Sequence, residues 1–333
     1  MTMGSGRVVI AGGTGLLGTG LVTALRSERP ELEVVVLSRS GGVGEPGVGN
    51  GGMARRTGAT ESRVVDWRPD AAAALDEGEL ERLANVLDGA VAVVNLAGAS
   101  IGAGRLGPEH VARVRSSRVN ATATLVAAAG IARTAPGVFV QGSAIGIYGD
   151  RGDEVLTEDA ALADSGVLVG SSRDWEAAAA PAARRSRLVV GRTALALHPD
   201  APSWQRMLLP VRWFVGGPLG SGRQWLSWIT VEDHARALLH LIEHDALAGT
   251  FNLAAPEPIR QAALVRAVAE RLHRPSFFPV PAPLLRLVLG RLADATILPS
   301  ARVLPDRLLS SGFRFLHPTF DAALDHLLPP RGS

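Results

Sequence analysis

Short apolar runs alternate with helically spaced segments along most of the chain. Residues 7–11 form a β-branched run closed by glycines, which predicts a buried strand. Residues 16–26 carry apolar positions at helical spacing. Further strands are predicted at 32–38, 63–67, 91–96, 138–142 and 188–193, with helices at 79–87, 108–129 and 172–185 between them. Strands alternating with helices specify an α/β protein whose sheet is parallel and whose crossovers are right-handed.

The pattern changes after residue 200. Residues 202–228 are rich in Trp, Gly and Pro and read as a substrate-side excursion. A helix is predicted at 231–244, a short strand at 250–254 and an amphipathic helix at 259–273. From residue 275 prolines break the helical spacing, and 284–328 read as a small helical unit. Residues 41–52 are glycine-rich without periodicity, which predicts a surface loop. There is no internal repeat. The stretch nearest to a signal peptide or membrane span, residues 7–25, is interrupted by five glycines. The expectation is a cytoplasmic protein with no membrane partner.

Composition sharpens this picture. The chain has 333 residues, and all 34 of its basic side chains other than histidine are arginine. Without lysine there is no Schiff base, no P-loop lysine and no Tyr-x-x-x-Lys proton relay. Without cysteine there is no disulfide, thiolate nucleophile or Cys-bound metal. The formal net charge is only +2, with no clustered basic footprint, so no nucleic-acid partner is expected.

The strongest motif is Gly12-Gly13-Thr14-Gly15-Leu16-Leu17-Gly18, between the first strand and the first helix. Gly12 permits the tight turn, Gly15 lets backbone approach a pyrophosphate, and Gly18 lets the helix pack on the sheet. Thr14, Leu16 and Leu17 complete the cofactor-binding turn. An NAD site usually has an acid at the end of the second strand. Here Ser38 and Arg39 stand there instead. A guanidinium at Arg39 can fork onto a 2′-phosphate, with Ser38 as a further donor, so NADP(H) is expected over NAD(H). Asp66 and Trp67 are candidates for the adenine edge and face, although Trp67 fits equally well as core.

Several longer segments carry a resemblance: GGTGLLG (12–18), VVNLAGASI (93–101), SSRVNAT (116–122), GSAIGIYGDRGDEVLTE (142–158), RDWEAAA (173–179), GGPLGSGRQWLSWITVED (216–233), AAPEP (254–258) and ADATILPSARVLPDRLLSSGFRF (293–315). Together they resemble the short-chain dehydrogenase/reductase superfamily, extended type. More narrowly, they resemble its atypical, epimerase-like branch with a C-terminal domain of unknown function. The resemblance implies a Rossmann-like doubly wound sheet that binds NADP(H), with a small substrate lobe and a helical C-terminal unit. It divides the chain into a cofactor domain at 1–274, with lobe segments near 200–230 and 255–274, and a unit at 275–333 completing the lobe. It adds Asn95, Leu96, Ala97, Gly98, Arg118 and Thr193 to the cofactor-binding set.

Active members of the superfamily use Asn, Ser, Tyr and Lys. Under the resemblance, Arg118 stands at the Asn position, Leu168 at the Tyr position and Ser172 at the Lys position, while Ser143 keeps its residue type. The catalytic candidates are therefore Ser143 to position a substrate oxygen, Tyr148 as a substitute proton donor and Arg118 to stabilise developing negative charge. Leu226 and Ser227 replace the Arg-Asp pair of nucleotide-sugar epimerases. Arg223, Gln224, Trp225 and Trp228 suggest a flatter, partly aromatic wall with one cation. The expected function is an NADP(H)-dependent oxidoreductase or epimerase-like activity on a small carbonyl or alcohol, in a monomer or homodimer. The alternative is an NADP(H)-binding sensor or regulator without chemistry. His240-x-x-Glu243-His244 matches an inverted zinc-protease motif, but no third ligand stands out and no metal is expected.

Overall fold

The computed structural model describes residues 6–39, 62–69, 76–103 and 106–329; the predicted loop at 41–52 lies outside them. The first half contains β1 (Arg7–Ala11), α1 (Leu16–Glu28), β2 (Glu33–Ser38), β3 (Arg63–Asp66), α2 (Glu77–Leu87), β4 (Ala92–Asn95), α3 (Pro108–Ile131), β5 (Val138–Ala144), β6 (Val155–Leu156), α4 (Val169–Ala179) and β7 (Arg187–Thr193). The second half adds β8 (Leu195–Leu197), α5 (Pro202–Arg212), β9 (Trp225–Leu226), β10 (Trp228–Thr230), α6 (Val231–Glu243), β11 (Gly249–Leu253), β12 (Ile259–Arg260), α7 (Gln261–Leu272), α8 (Ala282–Leu289), β13 (Arg302–Val303), α9 (Asp306–Ser310) and α10 (Phe320–Leu327).

Seven strands form one parallel sheet in the order β11-β7-β5-β4-β1-β2-β3. Its strands are apolar on both faces because helices cover both. Val8 and Ile10 of β1 enter the core under α1 and α6, while Val9 and Ala11 enter the core under α2 and α3. A third core is built around Trp204, Trp228, Leu264 and Leu324, from α5, β10, α7 and α10.

Two predicted elements change form. The helix expected at 172–185 is α4 followed by a 3₁₀ segment, Ala180–Arg184, where Pro181 removes a backbone donor. The excursion at 202–228 contains a full helix, α5, started by Pro202 at its first turn. No helix among the described residues is long and apolar enough to cross a membrane.

Candidate active site

The chain runs outward from β1 through β2 to β3, then returns to β4 on the other side and continues to β5, β7 and β11. The carboxyl ends of β1 and β4 therefore frame the switch-point crevice where open α/β sheets hold ligands. Two loops touch there. Gly12 has φ +81°, and a Cβ on it would stand 2.8 Å from the Leu96 carbonyl and 2.9 Å from the Ala97 nitrogen. Only glycine meets both demands. A Cβ on Gly18 would stand 2.2 Å from the Gly12 oxygen and 2.6 Å from the Gly13 Cα, so α1 sits directly on the turn. Gly15 caps α1 without a side-chain bond, and the first turn carries no acid. The helix thus points its positive end at the crevice with no carboxylate of its own turn to neutralise it. Thr14 and Gly15 are exposed; Leu16 and Leu17 are half-buried.

Ser38 ends β2 half-buried, and Arg39 follows it, exposed. Asp66 ends β3, exposed, with Arg68 Nε 3.7 Å away. Trp67 does not offer a face to an adenine: it is buried among Leu37, Leu83 and Leu87, so the structure corrects that expectation to core packing. Asn95 is also turned inward. Its Nδ2 donates to Thr122 Oγ1 at 2.9 Å and Gln141 Oε1 at 3.1 Å, and its Oδ1 accepts from the Ala97 N–H at 3.2 Å. The Asn95 side chain shapes the 95–98 loop and is not itself free for a ligand.

Arg118 packs against that loop. A Cβ on Gly98 would meet its Cζ at 2.9 Å, so glycine is required for the arginine to lie flat there. Its Nη1 donates to the carbonyls of Ala99 at 2.9 Å and Val114 at 3.1 Å, and its Cζ lies 4.9 Å from the Trp175 ring centroid. Burial pushes its pKa down to about 10, and no carboxylate offsets this. Arg118 is therefore a charged, partly desolvated cation without a counter-ion among the described residues. Thr193 ends β7 half-buried, its Oγ1 3.2 Å from His234 Nε2. His234 is fully buried, its pKa pushed down to about 4 by burial.

The two hydroxyl candidates for catalysis are drawn into a buried network. Tyr148 is 0% exposed; its hydroxyl donates to Asn252 Oδ1 at 2.8 Å and accepts from Arg192 Nη1 at 2.9 Å. Burial pushes the phenol pKa up. Ser143, also buried, donates its proton to Glu176 Oε1 at 2.6 Å, and Arg192 clamps both Glu176 oxygens at 2.9 Å. This corrects the expectation for both residues: their hydroxyl protons are committed inside the protein. Glu176, Arg192 and Asn252 were not singled out from sequence, because they lie on three separate elements and share no spacing rule.

The expected aromatic wall divides. Trp228 is core, its Nε1 donating to the Glu257 carbonyl at 3.0 Å and its ring edge-on to Phe320. Gln224 is buried and ties the Leu219 and Ile297 carbonyls together. Trp225 is only half-buried and lies between Arg260 and Arg302, with Cζ atoms 4.0 and 4.6 Å from its centroid. Ser227 donates to Ala301 and accepts from Val303, a structural role. His240 bonds Ser311 Oγ at 2.9 Å, and its ring lies 4.0 Å from that of His244.

These features define a Rossmann-like nucleotide-binding protein with an added C-terminal unit. Residues 8–166 match the NAD dependent epimerase/dehydratase family, and residues 280–327 match a domain of unknown function, DUF1731. An epimerase family protein from Mycobacterium leprae is 32% identical over 320 residues, covering 96% of this chain and 94% of the relative. The epimerase family protein YfhF of Bacillus subtilis is 32% identical over 325 residues, covering 97% and 98%. The crystal structure of human epimerase family protein SDR39U1 (isoform2) with NADPH has a TM-score of 0.81 and 29% identity, covering 97% of this chain and 99% of that one. The chain belongs to the epimerase family.

Proposed function

We propose that this protein binds NADP(H) at the crevice between β1 and β4 and works as an oxidoreductase or epimerase-like enzyme on a small carbonyl or alcohol. The observation that carries this reading is the close packing of the glycine turn against the 95–98 loop, beneath an α1 terminus with no acid in its first turn. Such a terminus suits a pyrophosphate. Ser38 and Arg39, at the end of β2 and just after it, are the donors this reading assigns to a 2′-phosphate, and the structure of a 29% identical relative holds NADPH. When bound, the nicotinamide supplies hydride transfer.

The remaining work falls to the chain itself. Leu168 and Ser172, at the positions of the family's Tyr and Lys, give no relay, and Ser143 and Tyr148 are engaged elsewhere. Arg118 remains the cation beside the loop. Charged at neutral pH, it can hold an oxyanion as charge develops. A proton then has to come from solvent or substrate. The affinity test is direct: Arg39→Asp weakens NADPH far more than NADH. Equal affinities for both nucleotides in the parent protein would remove the 2′-phosphate role. Single-turnover NADPH oxidation against a carbonyl panel tests the chemistry.

The closed Ser143–Glu176–Arg192–Tyr148 network favours a second reading, an NADP(H) sensor without turnover. That reading predicts partner capture that depends on the redox state of the nucleotide. Equal capture with NADP⁺ and NADPH would count against it.

A further inference from the structure

The molecule carries an apolar face that no described part of this chain covers. It comes from two segments. The first is the end of α5 and the turn after it, with Leu209, Trp213 (72% exposed), Phe214 and Val215. The second runs from Phe277 (70% exposed) and Phe278 into α8, which buries only Leu285 and presents Leu284, Leu287 (75% exposed) and Val288 to solvent. The segments are joined: the Phe278 N–H donates to the Gly216 carbonyl at 3.1 Å, and Arg274 Cζ lies 4.2 Å from the Phe214 ring centroid. Scattered exposed apolar residues need no explanation, but a joined set that includes the Phe277–Phe278 ring pair, with centroids 4.6 Å apart, does. Phe214 also has φ +63°, a conformation rare for a bulky side chain, which directs its ring outward beneath Arg274.

The two segments that form this face carry positive charge only. Residues 204–217 and 273–293 contain Arg206, Arg212, Arg274, Arg286 and Arg291 and not one Asp or Glu. Arg286 is paired with Asp294 from just beyond the segment, whereas Arg212 and Arg274 meet no carboxylate among the described residues. Both arginines also line a groove of about 920 Å³, together with Arg271, His273, Glu270 and Asp321. The face is thus apolar and aromatic, and Arg212 and Arg274 beside it have no carboxylate partner among the described residues.

That combination selects among possible occupants. A second copy meeting it by two-fold symmetry would set the arginine-bearing segments 204–217 and 273–293, which hold no acid of their own, against themselves. An anionic bilayer matches both properties: acyl chains accept Trp, Phe and Leu at the interface, and headgroup phosphates accept the arginines. The lack of a spanning helix does not bear on attachment to a surface. We propose that this face docks the protein on an anionic phospholipid surface, with Trp213, Phe277 and Leu287 inserted and Arg212 and Arg274 on phosphates. The proposal does not depend on the reading of the nucleotide site.

The test is co-sedimentation of the full chain with vesicles of phosphatidylcholine alone or with phosphatidylglycerol added. Binding is expected only with phosphatidylglycerol and should weaken as salt rises. Arg212→Gln with Arg274→Gln should reduce partitioning about thirtyfold, given the loss of two surface cations. Trp213→Ser with Leu287→Gln should reduce it at least tenfold. Trp213, Leu287 and Arg212 are exposed and Arg274 is half-buried without a carboxylate partner, so melting temperature and NADPH affinity should hold, and either variant pair suffices for the test. Equal binding to both vesicle types, or binding unchanged in both variants, would overturn the proposal. So would a parent dimer that these variants convert to monomer, because the face would then belong to a second copy.

Discussion

At the scale of single residues, the glycines of the turn do separable work. A Cβ on Gly18 has nowhere to go, because the atoms it meets at 2.2 and 2.6 Å are backbone. Gly18→Ala should lower stability by about 1–3 kcal/mol, the usual range for overpacking, and lose NADPH affinity as well. Gly15 has an ordinary φ of −79°, and its Cβ would meet only the Gly12 oxygen, at 3.3 Å. Gly15→Ala should therefore cost at most about 1 kcal/mol, from a weaker N-cap, and lose mainly nucleotide affinity. Thermal melts with and without NADPH distinguish the two, and parallel losses of stability would refute the division of roles. His234 gives a pH signature. Unfolded, it takes up a proton near its ordinary 6.5; folded, burial delays this to about 4. The unfolded state binds more protons in that interval. The stability His234 contributes is complete above about pH 6.5 and is lost as pH falls towards 4, by roughly 3 kcal/mol. Burial lowers His240 and His317 too, so the parent slope is a sum. His234→Gln should make the loss shallower in urea titrations between pH 6.5 and 4, and an unchanged slope would show that this histidine is not held neutral.

At the scale of elements, one polar network joins β5, α4, β7 and β11. Ser143, Glu176, Arg192, Tyr148 and Asn252 each come from one of these or from the turn after β5. Tyr148→Phe leaves the Arg192 Nη1 and Asn252 Oδ1 groups short of a partner in a buried setting, which costs about 1–3 kcal/mol. The expected result is a lower melting temperature with unchanged NADPH affinity. Unchanged stability with lost turnover would restore Tyr148 as a proton donor. This network also marks where the sequence stops being legible. Strands such as 7–11 and 138–142 stand out because a covered parallel sheet needs short β-branched runs. The glycine turn stands out because its spacing is local. The fates of Tyr148 and Trp228 are not local. A lone aromatic reads alike as pocket wall or core until its partners are known, and Asn252 lies 104 residues from Tyr148. Trp67 fits either reading from sequence for the same reason.

At the scale of the molecule, the C-terminal segment packs into the same cores as the rest of the chain. Val303, Leu308 and Phe313 fill the core beneath α1 and α6, while Phe320, Ala323, Leu324 and Leu327 fill the third core with Trp204 and Trp228. β13 pairs with β6, which comes from the loop region after β5. Two buried carboxylates outside the C-terminal segment accept hydrogen bonds from it, although Glu158 also accepts the Asn252 N–H at 2.9 Å. Asp233 accepts the N–H groups of Leu316 at 2.7 Å and His317 at 2.8 Å, and Glu158 accepts that of Arg307 at 3.4 Å. Removing residues 275–333 would leave the Asp233 carboxylate with Arg236 Nη1, at 3.4 Å, and would open Trp228 to water. An underpaired buried carboxylate costs several kcal/mol, and the lost apolar burial adds roughly 1.5–3 kcal/mol per large side chain. Against a total stability of about 5–15 kcal/mol, those losses exceed what the remaining chain can bear. A chain ending at residue 274 should therefore show no cooperative thermal transition and no protection by NADPH, even though the entire glycine turn is present. A cooperative melt close to that of the full chain would instead make the C-terminal unit an independent domain resting on a self-sufficient nucleotide fold.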